Sequence, residues 1–326
     1  MSRSRRTPPA ERMAGYVFIV GPTGAGKSAL ALHLAEQLGG EIISVDSMQV
    51  YRGLDVGTAK PTLAECQHVR HHLIDVAALH ESFDAARFVT LARAAVADIR
   101  ARGKRPIFCG GTGMYLKAYL EGIGPAPPTD PQLRAALEVT PTDQLLEELA
   151  QTDAAMFEFI DRQNRRRVIR AVEVIRLTGR PFSAQRALWS RAAAASLADP
   201  PVGVDEARIF GLEREGPDLH ERIQRRVERM FEAGLVAETR QLLEQGLERN
   251  RTAMQAIGYR QVVEHLRGDR TLPQTVELIK QRTRQFARRQ MTWFRRQLRV
   301  EWIPVAADDD VARIADRVCG LASTGG

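Results

Sequence analysis

The 326-residue sequence predicts an α/β fold: a parallel sheet flanked by helices, interrupted by a helical insertion and followed by a helical carboxyl-terminal region. Three observations predict it. Short apolar runs rich in β-formers alternate with stretches of helical periodicity. A glycine-rich loop joins the first run to the first helix, and turn formers gather at 122–131 and 190–203, marking off the piece between them. An apolar share of 44% is enough for a real core in a chain this long.

Residues 1–14 are basic, with no apolar stretch of signal type behind them, and are expected to form a disordered tail. Tyr16–Val20 (YVFIV) reads as the first strand, Gly21–Ser28 as the loop, and SALALHLAEQLGG as the helix that follows. A second apolar run, Glu41–Val45 (EIISV), ends in Asp46-Ser47; a helix over about 84–102 leads into a third, Pro106–Cys109. Arg208–Leu212 (RIFGL) returns the chain to the sheet, and residues 217–302 are helical with breaks near 246–251 and 268–273. The expected organisation is therefore a core of 15–125 and 201–302, a helical insertion at 126–200, and a tail at 303–326. Ligands of such a sheet gather beyond the carboxyl ends of its strands, where Gly21–Ser28, Asp46-Ser47 and Gly110–Thr112 all fall.

The net charge of +7 and the pI near 9.7 come almost wholly from arginine, whose planar fork suits phosphate and base stacking. A polyanionic partner and a plain compositional bias toward arginine both explain that surplus. Cys66, Cys109 and Cys319 are too widely spaced for a disulfide framework or a paired metal site, which points to a reducing compartment. No run approaches the roughly 18 apolar residues of a membrane span, and a cytoplasmic protein is expected.

Gly21-Pro22-Thr23-Gly24-Ala25-Gly26-Lys27-Ser28 satisfies GxxxxGK[ST] in full, and the strand and helix on either side make the core P-loop NTPase-like. Glycines let the backbone turn its N–H groups inward, Lys27 reaches the outer phosphate, and the Ser28 hydroxyl ligates Mg2+. The loop recognises a diphosphate without saying what carries it. An ATPase also needs a carboxylate to hold magnesium and a residue to orient water, and the third strand, ending in Gly110-Gly111-Thr112-Gly113, supplies neither.

Asp46 either caps the next turn or acts in the cleft, as a residue behind the magnesium or as a general base. Gln49 is a donor and acceptor of the type that reads adenine edges. Thr112 bonds a leaving oxygen or a nucleophile, or belongs to a plain tight turn. The arginines at 162–170 have few acids at helical spacing, which favours phosphate contact over a solvated face. Residues 280–299 hold no acid at all; Ile279, Phe286 and Trp293 recur every seven residues as a core stripe, leaving the arginine faces for a nucleic-acid backbone. His71-His72 have no matching Cys or carboxylate spacing for a metal site, and His72 or Asp75 is expected to shape the cleft.

Taken in order, GPTGAGKSALA, DSMQVYRGLDVGTAKPT, HHLID, RGKRPIFCGGTGMYLKA, RRVIRAVEV, QAIGYRQ and RRQMTWFRR resemble the tRNA dimethylallyltransferases (isopentenyltransferases) along nearly the whole chain. The resemblance implies transfer of a dimethylallyl group from dimethylallyl diphosphate to the exocyclic amine of the adenine 3′ of the anticodon, in tRNAs reading codons that begin with U. It places the donor diphosphate in Gly21–Ser28, Mg2+ on Ser28, and Lys27, Asp46 as general base and Thr112 at the reacting groups. It assigns tRNA contact to Asp46, Ser47, Met48, Gln49, Thr112, Arg134, Arg166, Arg167, Arg170, Gln255, Gly258, Tyr259, Arg260, Arg288, Arg289, Gln290, Thr292, Trp293 and Arg295. Residues 126–200 stand where the family closes over the anticodon arm, and a monomer is expected. The rival readings are a small-molecule P-loop kinase and a noncatalytic RNA-binding protein.

Overall fold

The structure, a computed structural model, describes residues 16–122, 127, 129–184 and 207–323. The expected basic tail at 1–14 and the turn-rich stretch at 190–203 lie outside the described residues.

Six parallel strands form one sheet: β1 (Val17–Val20), β2 (Gly40–Val45), β3 (His71–His72), β4 (Arg105–Gly110), β5 (Arg208–Arg214) and β6 (Glu301–Val305), in the spatial order β3-β2-β4-β1-β5-β6. The inner strands read as unbroken apolar runs because helices cover both faces. Along β1 the side chains alternate between two cores. Val17 and Ile19 pack with Leu30 and Leu34 of α1 (Lys27–Leu38), while Phe18 and Val20 join Phe108 and residues of the opposite face. After the six-residue α2 (Leu63–His68), α3 (Ala85–Ala101) packs Phe88, Ala92, Val96 and Ile99 onto that opposite face, started by Asp84, whose side chain accepts from the Arg87 N–H. From β4 the chain enters α4 (Gly113–Glu121), which buries Tyr115 and Tyr119 against Phe88 and Phe108.

The described residues between 121 and 184 form a second compact unit. Its described helices are α5 (Pro131–Val139), α6 (Thr142–Thr152), α7 (Ala154–Phe159) and α8 (Arg165–Thr178), and they enclose a core of their own made of Leu137, Leu145, Leu149, Met156, Val168 and Val172.

After β5 come α9 (Gly216–Glu232), α10 (Leu235–Glu244), α11 (Tyr259–Leu266) and the 26-residue α12 (Leu272–Gln297). Residues 303–326, expected as a tail, are corrected by the structure: Glu301–Val305 pairs with β5, and α13 (Val311–Ser323) buries Ile314, Ala315 and Val318 beside α1. The strand escapes a pattern reading because Pro304 interrupts it, which an edge strand tolerates since its outer N–H row needs no partner.

Phe108 is the centre of the aromatic face, with its ring 4.6 Å from that of Phe18 and 4.7 Å from that of Tyr119. Replacing it by alanine is expected to cost about 3–5 kcal/mol of folding free energy, read as a lowered midpoint in chemical denaturation.

Candidate active site

The order β2-β4-β1 sets the carboxyl ends of three adjacent parallel strands side by side. Each runs into a segment singled out by the sequence: Asp46–Gln49 after β2, Gly111–Gly113 after β4 and Gly21–Ser28 after β1. The first two are bonded together. The Thr112 N–H donates to the Val45 carbonyl at 3.1 Å, and the Ser47 N–H donates to Thr112 Oγ1 at 3.0 Å. Such close approach requires Gly110, because a Cβ there would overlap the Val45 carbonyl.

In the loop, Gly26 takes a left-handed conformation (φ 101°) and starts α1, so the N–H groups of the first helical turn have no carbonyl within their own helix and point toward the loop. Lys27 Nζ donates to the Pro22 carbonyl at 2.8 Å. Burial lowers the Lys27 ammonium from its usual range to about 8; nearby Arg226 pushes the same way, while Cys109 and Asp46 oppose it. Asp46 Oδ1 accepts from the N–H of Met48 at 2.8 Å and of Gln49 at 3.3 Å, so the carboxylate caps its turn with one oxygen. Among the described residues, its Oδ2 accepts no hydrogen bond. The two readings of Asp46 are therefore compatible: one oxygen fixes the turn and the other is left for chemistry.

A family model described as IPP transferase matches residues 49–297. The chain belongs to the IPP transferase family. It is 46% identical over 291 residues to tRNA dimethylallyltransferase 1 of Trichlorobacter lovleyi, covering 88% of this chain and 92% of that protein. To the tRNA dimethylallyltransferase of Anoxybacillus flavithermus it is 42% identical, with 90% and 91% covered. Among solved structures, the tRNA isopentenylpyrophosphate transferase of Bacillus halodurans superposes with a TM-score of 0.67 at 36% identity, covering 94% of this chain and 96% of that one. A eukaryotic dimethylallyltransferase, solved acting on tRNA, superposes with a TM-score of 0.69 at 26% identity, covering 91% and 75%.

In this IPP transferase three arginines that the sequence reading missed surround the loop. Arg222 Nε donates to the Gly24 carbonyl and Arg214 Nε to the Ala25 carbonyl, both at 2.9 Å, and Arg226 Nη2 donates to the Thr58 carbonyl at 3.2 Å. Burial lowers the pKa of Arg222 and of Arg226, with further lowering of Arg222 by Arg214. The available signal was the four-residue spacing of Arg214, Asp218, Arg222 and Arg226, hidden among acids that α9 turns outward.

The residues assigned to RNA by resemblance divide by exposure. Arg166, Arg167, Gln255, Arg260, Arg288, Arg289, Thr292 and Arg295 are exposed, although Arg260 also pairs with Glu264 and Arg295 with Glu213. Tyr259 is corrected: it is fully buried, its hydroxyl donates to Glu238 Oε1 at 2.6 Å and accepts from the Gly57 N–H at 3.1 Å, and it has no surface left for RNA. Gly258 is buried beside it. Within the second unit, Arg134 and Arg170 both donate to Glu173 Oε2, at 3.0 and 2.7 Å, so they neutralise a fully buried carboxylate. Arg165 grips the carbonyls of Glu138 and Thr140 at the end of α5. Gln49 is spent internally, accepting from Ser44 Oγ at 2.8 Å and donating to the carbonyls of Thr58 and Ala59 at 3.3 Å.

On α12 the expected stripe is also corrected. Ile279 is buried, Phe286 is 37% exposed and Trp293 is half-buried, whereas Thr283, Ala287, Gln290 and Phe294 face inward. A strict seven-residue repeat drifts around a straight helix, so the buried row moves off Phe286. Gln290 Oε1 accepts from the Thr23 N–H at 2.8 Å and its Nε2 donates to the Gly111 carbonyl at 3.0 Å. His72 lies away from the rim and bonds Glu41 at 2.7 Å near the start of β2; Asp75 pairs with Lys60.

A Lys27 that loses its proton near pH 8 gives a signed expectation. The bound anion favours the ammonium, so affinity for inorganic diphosphate should fall as pH rises through about 8. Calorimetric titration at several pH values should show this fall in the parent protein and a weaker, flatter profile in Lys27→Met.

Proposed function

We propose that this chain transfers the dimethylallyl group of dimethylallyl diphosphate to the exocyclic amine of the adenine 3′ of a tRNA anticodon. The observation that carries the reading is the union at one rim of a diphosphate loop, a carboxylate with one oxygen left over, and a threonine hydroxyl bonded to the residue after that carboxylate, with no carboxylate on the β4 side to activate water. Its relatives named above are tRNA-modifying prenyltransferases, and among the described residues no helix is long and apolar enough to cross a membrane.

An adenine amine is a poor nucleophile because its lone pair is delocalised into the ring. Reaction therefore depends on an allylic carbon that tolerates positive charge and on a stabilised leaving group. As the N–C bond forms, the C–O bond to diphosphate breaks, and the anion left behind lies against Lys27, the first-turn N–H groups of α1 and the Arg226 guanidinium. Asp46 takes the amine proton, and the Thr112 hydroxyl, already fixed to Ser47, orients the amine. Among the described residues no cluster of three or more His, Cys, Asp or Glu side chains is placed to hold a metal ion. A single hydroxyl from Ser28 still suits magnesium, which keeps several waters and takes its other ligands from phosphate oxygens. Bound there, magnesium would neutralise charge on the diphosphate.

The exposed Arg288 and Arg289 suit an RNA backbone, since each neutralised phosphate releases counterions. The adenine must leave its stack, at a cost of a few kcal/mol that enclosure by protein offsets. All of these groups come from one chain, so a monomer suffices.

Asp46→Asn should keep tRNA binding nearly intact while single-turnover transfer slows by roughly 10²–10⁴-fold; unchanged turnover would remove Asp46 from the reaction. Arg288→Ala should weaken tRNA binding and lower the salt slope by about one phosphate without affecting diphosphate binding. An unaltered slope would return that face of α12 to solvated surface.

A further inference from the structure

The exposed arginines of α12 share the helix with side chains that meet the site at two places one helical turn apart, the buried Gln290 and the half-buried Trp293. Gln290, 7% exposed, accepts from the N–H of Thr23 in the diphosphate loop and donates to the carbonyl of Gly111 in the turn that carries Thr112. Trp293 packs against Gly113, so closely that a Cβ at that glycine would overlap its ring. Gly111 has the same limit, since a Cβ there would overlap the Gln290 amide. Thr112 is thus gripped on both sides along the chain by α12 and from across the cleft by the Ser47 N–H.

We propose that Gln290 is a positioning residue for prenyl transfer, setting the separation between the donor loop and the acceptor turn, and that it makes no contact with the RNA. This rests on the reading of the site given above. The chemistry of the side chain carries the argument. The Thr23 N–H and the Gly111 carbonyl are bridged by one primary amide, whose two ends offer an acceptor to one and a donor to the other. Carboxylate in its place would still accept from Thr23 but would set oxygen against the Gly111 carbonyl; an apolar side chain would leave the Thr23 N–H without its acceptor and the Gly111 carbonyl with the Gly113 N–H alone, no longer tied to the loop. The Thr23 and Gly111 segments end the neighbouring strands β1 and β4, whose register fixes the strands but not the loops beyond them. Gln290 continues that register outward by one more bridge, at the level where a leaving diphosphate and an incoming amine must be aligned.

Bridging of this kind acts on geometry and not on affinity. Misplacement of reacting groups by about 1 Å can cost 10²-fold in rate, whereas each ligand still finds its own half of the site. The test uses the full chain with dimethylallyl diphosphate and a tRNA carrying the recognised anticodon loop, and compares Gln290→Ala and Gln290→Glu with the parent. Expected is a single-turnover rate lowered by about 10-fold or more in both variants, with dissociation constants for tRNA and for inorganic diphosphate each within about 3-fold of the parent's. A raised tRNA dissociation constant with an unchanged rate would make Gln290 an RNA contact and overturn the proposal. So would full activity of both variants. Loss of folding in both, judged by thermal melts followed by circular dichroism, would assign Gln290 to fold maintenance and overturn it as well. Failure of the underlying reading is distinct, because then the parent protein itself would transfer no dimethylallyl group.

Discussion

Everything at the site depends on the parallel registration of β2, β4 and β1. Ile43 opposite Phe108 and Phe18 opposite that same Phe108 make the three strands end at one level, so three loops far apart in sequence open onto one rim. The hydrogen bond from Thr112 to the Val45 carbonyl is the last rung of this ladder, and Gly110 is the residue that lets it form. Helices on both faces hold the registration in place. The aromatic cluster of Phe18, Phe108, Phe88, Tyr115 and Tyr119 fills one side, and the aliphatic layer of α1 and α13 fills the other.

On that rim the electrostatics are unbalanced in a direction that suits an anion. Lys27, Arg222 and Arg226 all have lowered proton affinity, mainly through burial, while Asp46 opposes the shift in Lys27 and Arg226. Buried cations in excess of carboxylates are costly in isolation and are stabilised when a diphosphate joins them. The same arrangement keeps the Asp46 carboxylate in a positive field, and its turn is held by the Met48 and Gln49 N–H groups, so it is fixed in place before any substrate arrives.

Much of this was legible in the sequence, for identifiable reasons. Buried parallel strands read as continuous apolar runs, which is why YVFIV, EIISV and PIFC lie within a residue or so of the ends of β1, β2 and β4. The phosphate loop was legible because its function demands fixed glycine and lysine spacing. What escaped depends on partners distant in the chain. Tyr259 lies in a basic, motif-like stretch, yet its direction is set by Glu238 and Gly57; Gln290 sits among arginines, yet it is turned inward by Thr23 and Gly111. Arg226 was concealed by neighbouring acids whose opposite orientation only the packing of α9 reveals. β6 was lost to a proline that only an edge position permits.

The central claim is that the diphosphate loop serves carbon–oxygen bond cleavage in a prenyl donor and not nucleotide hydrolysis. The most direct measurement incubates the purified protein and magnesium with unmodified tRNA and either dimethylallyl diphosphate or ATP, followed by mass spectrometry of the digested nucleosides. The account requires dimethylallyl-adenosine to appear with the first donor and no phosphorylated product with the second. ATP-dependent phosphorylation without any prenylated adenosine would contradict it.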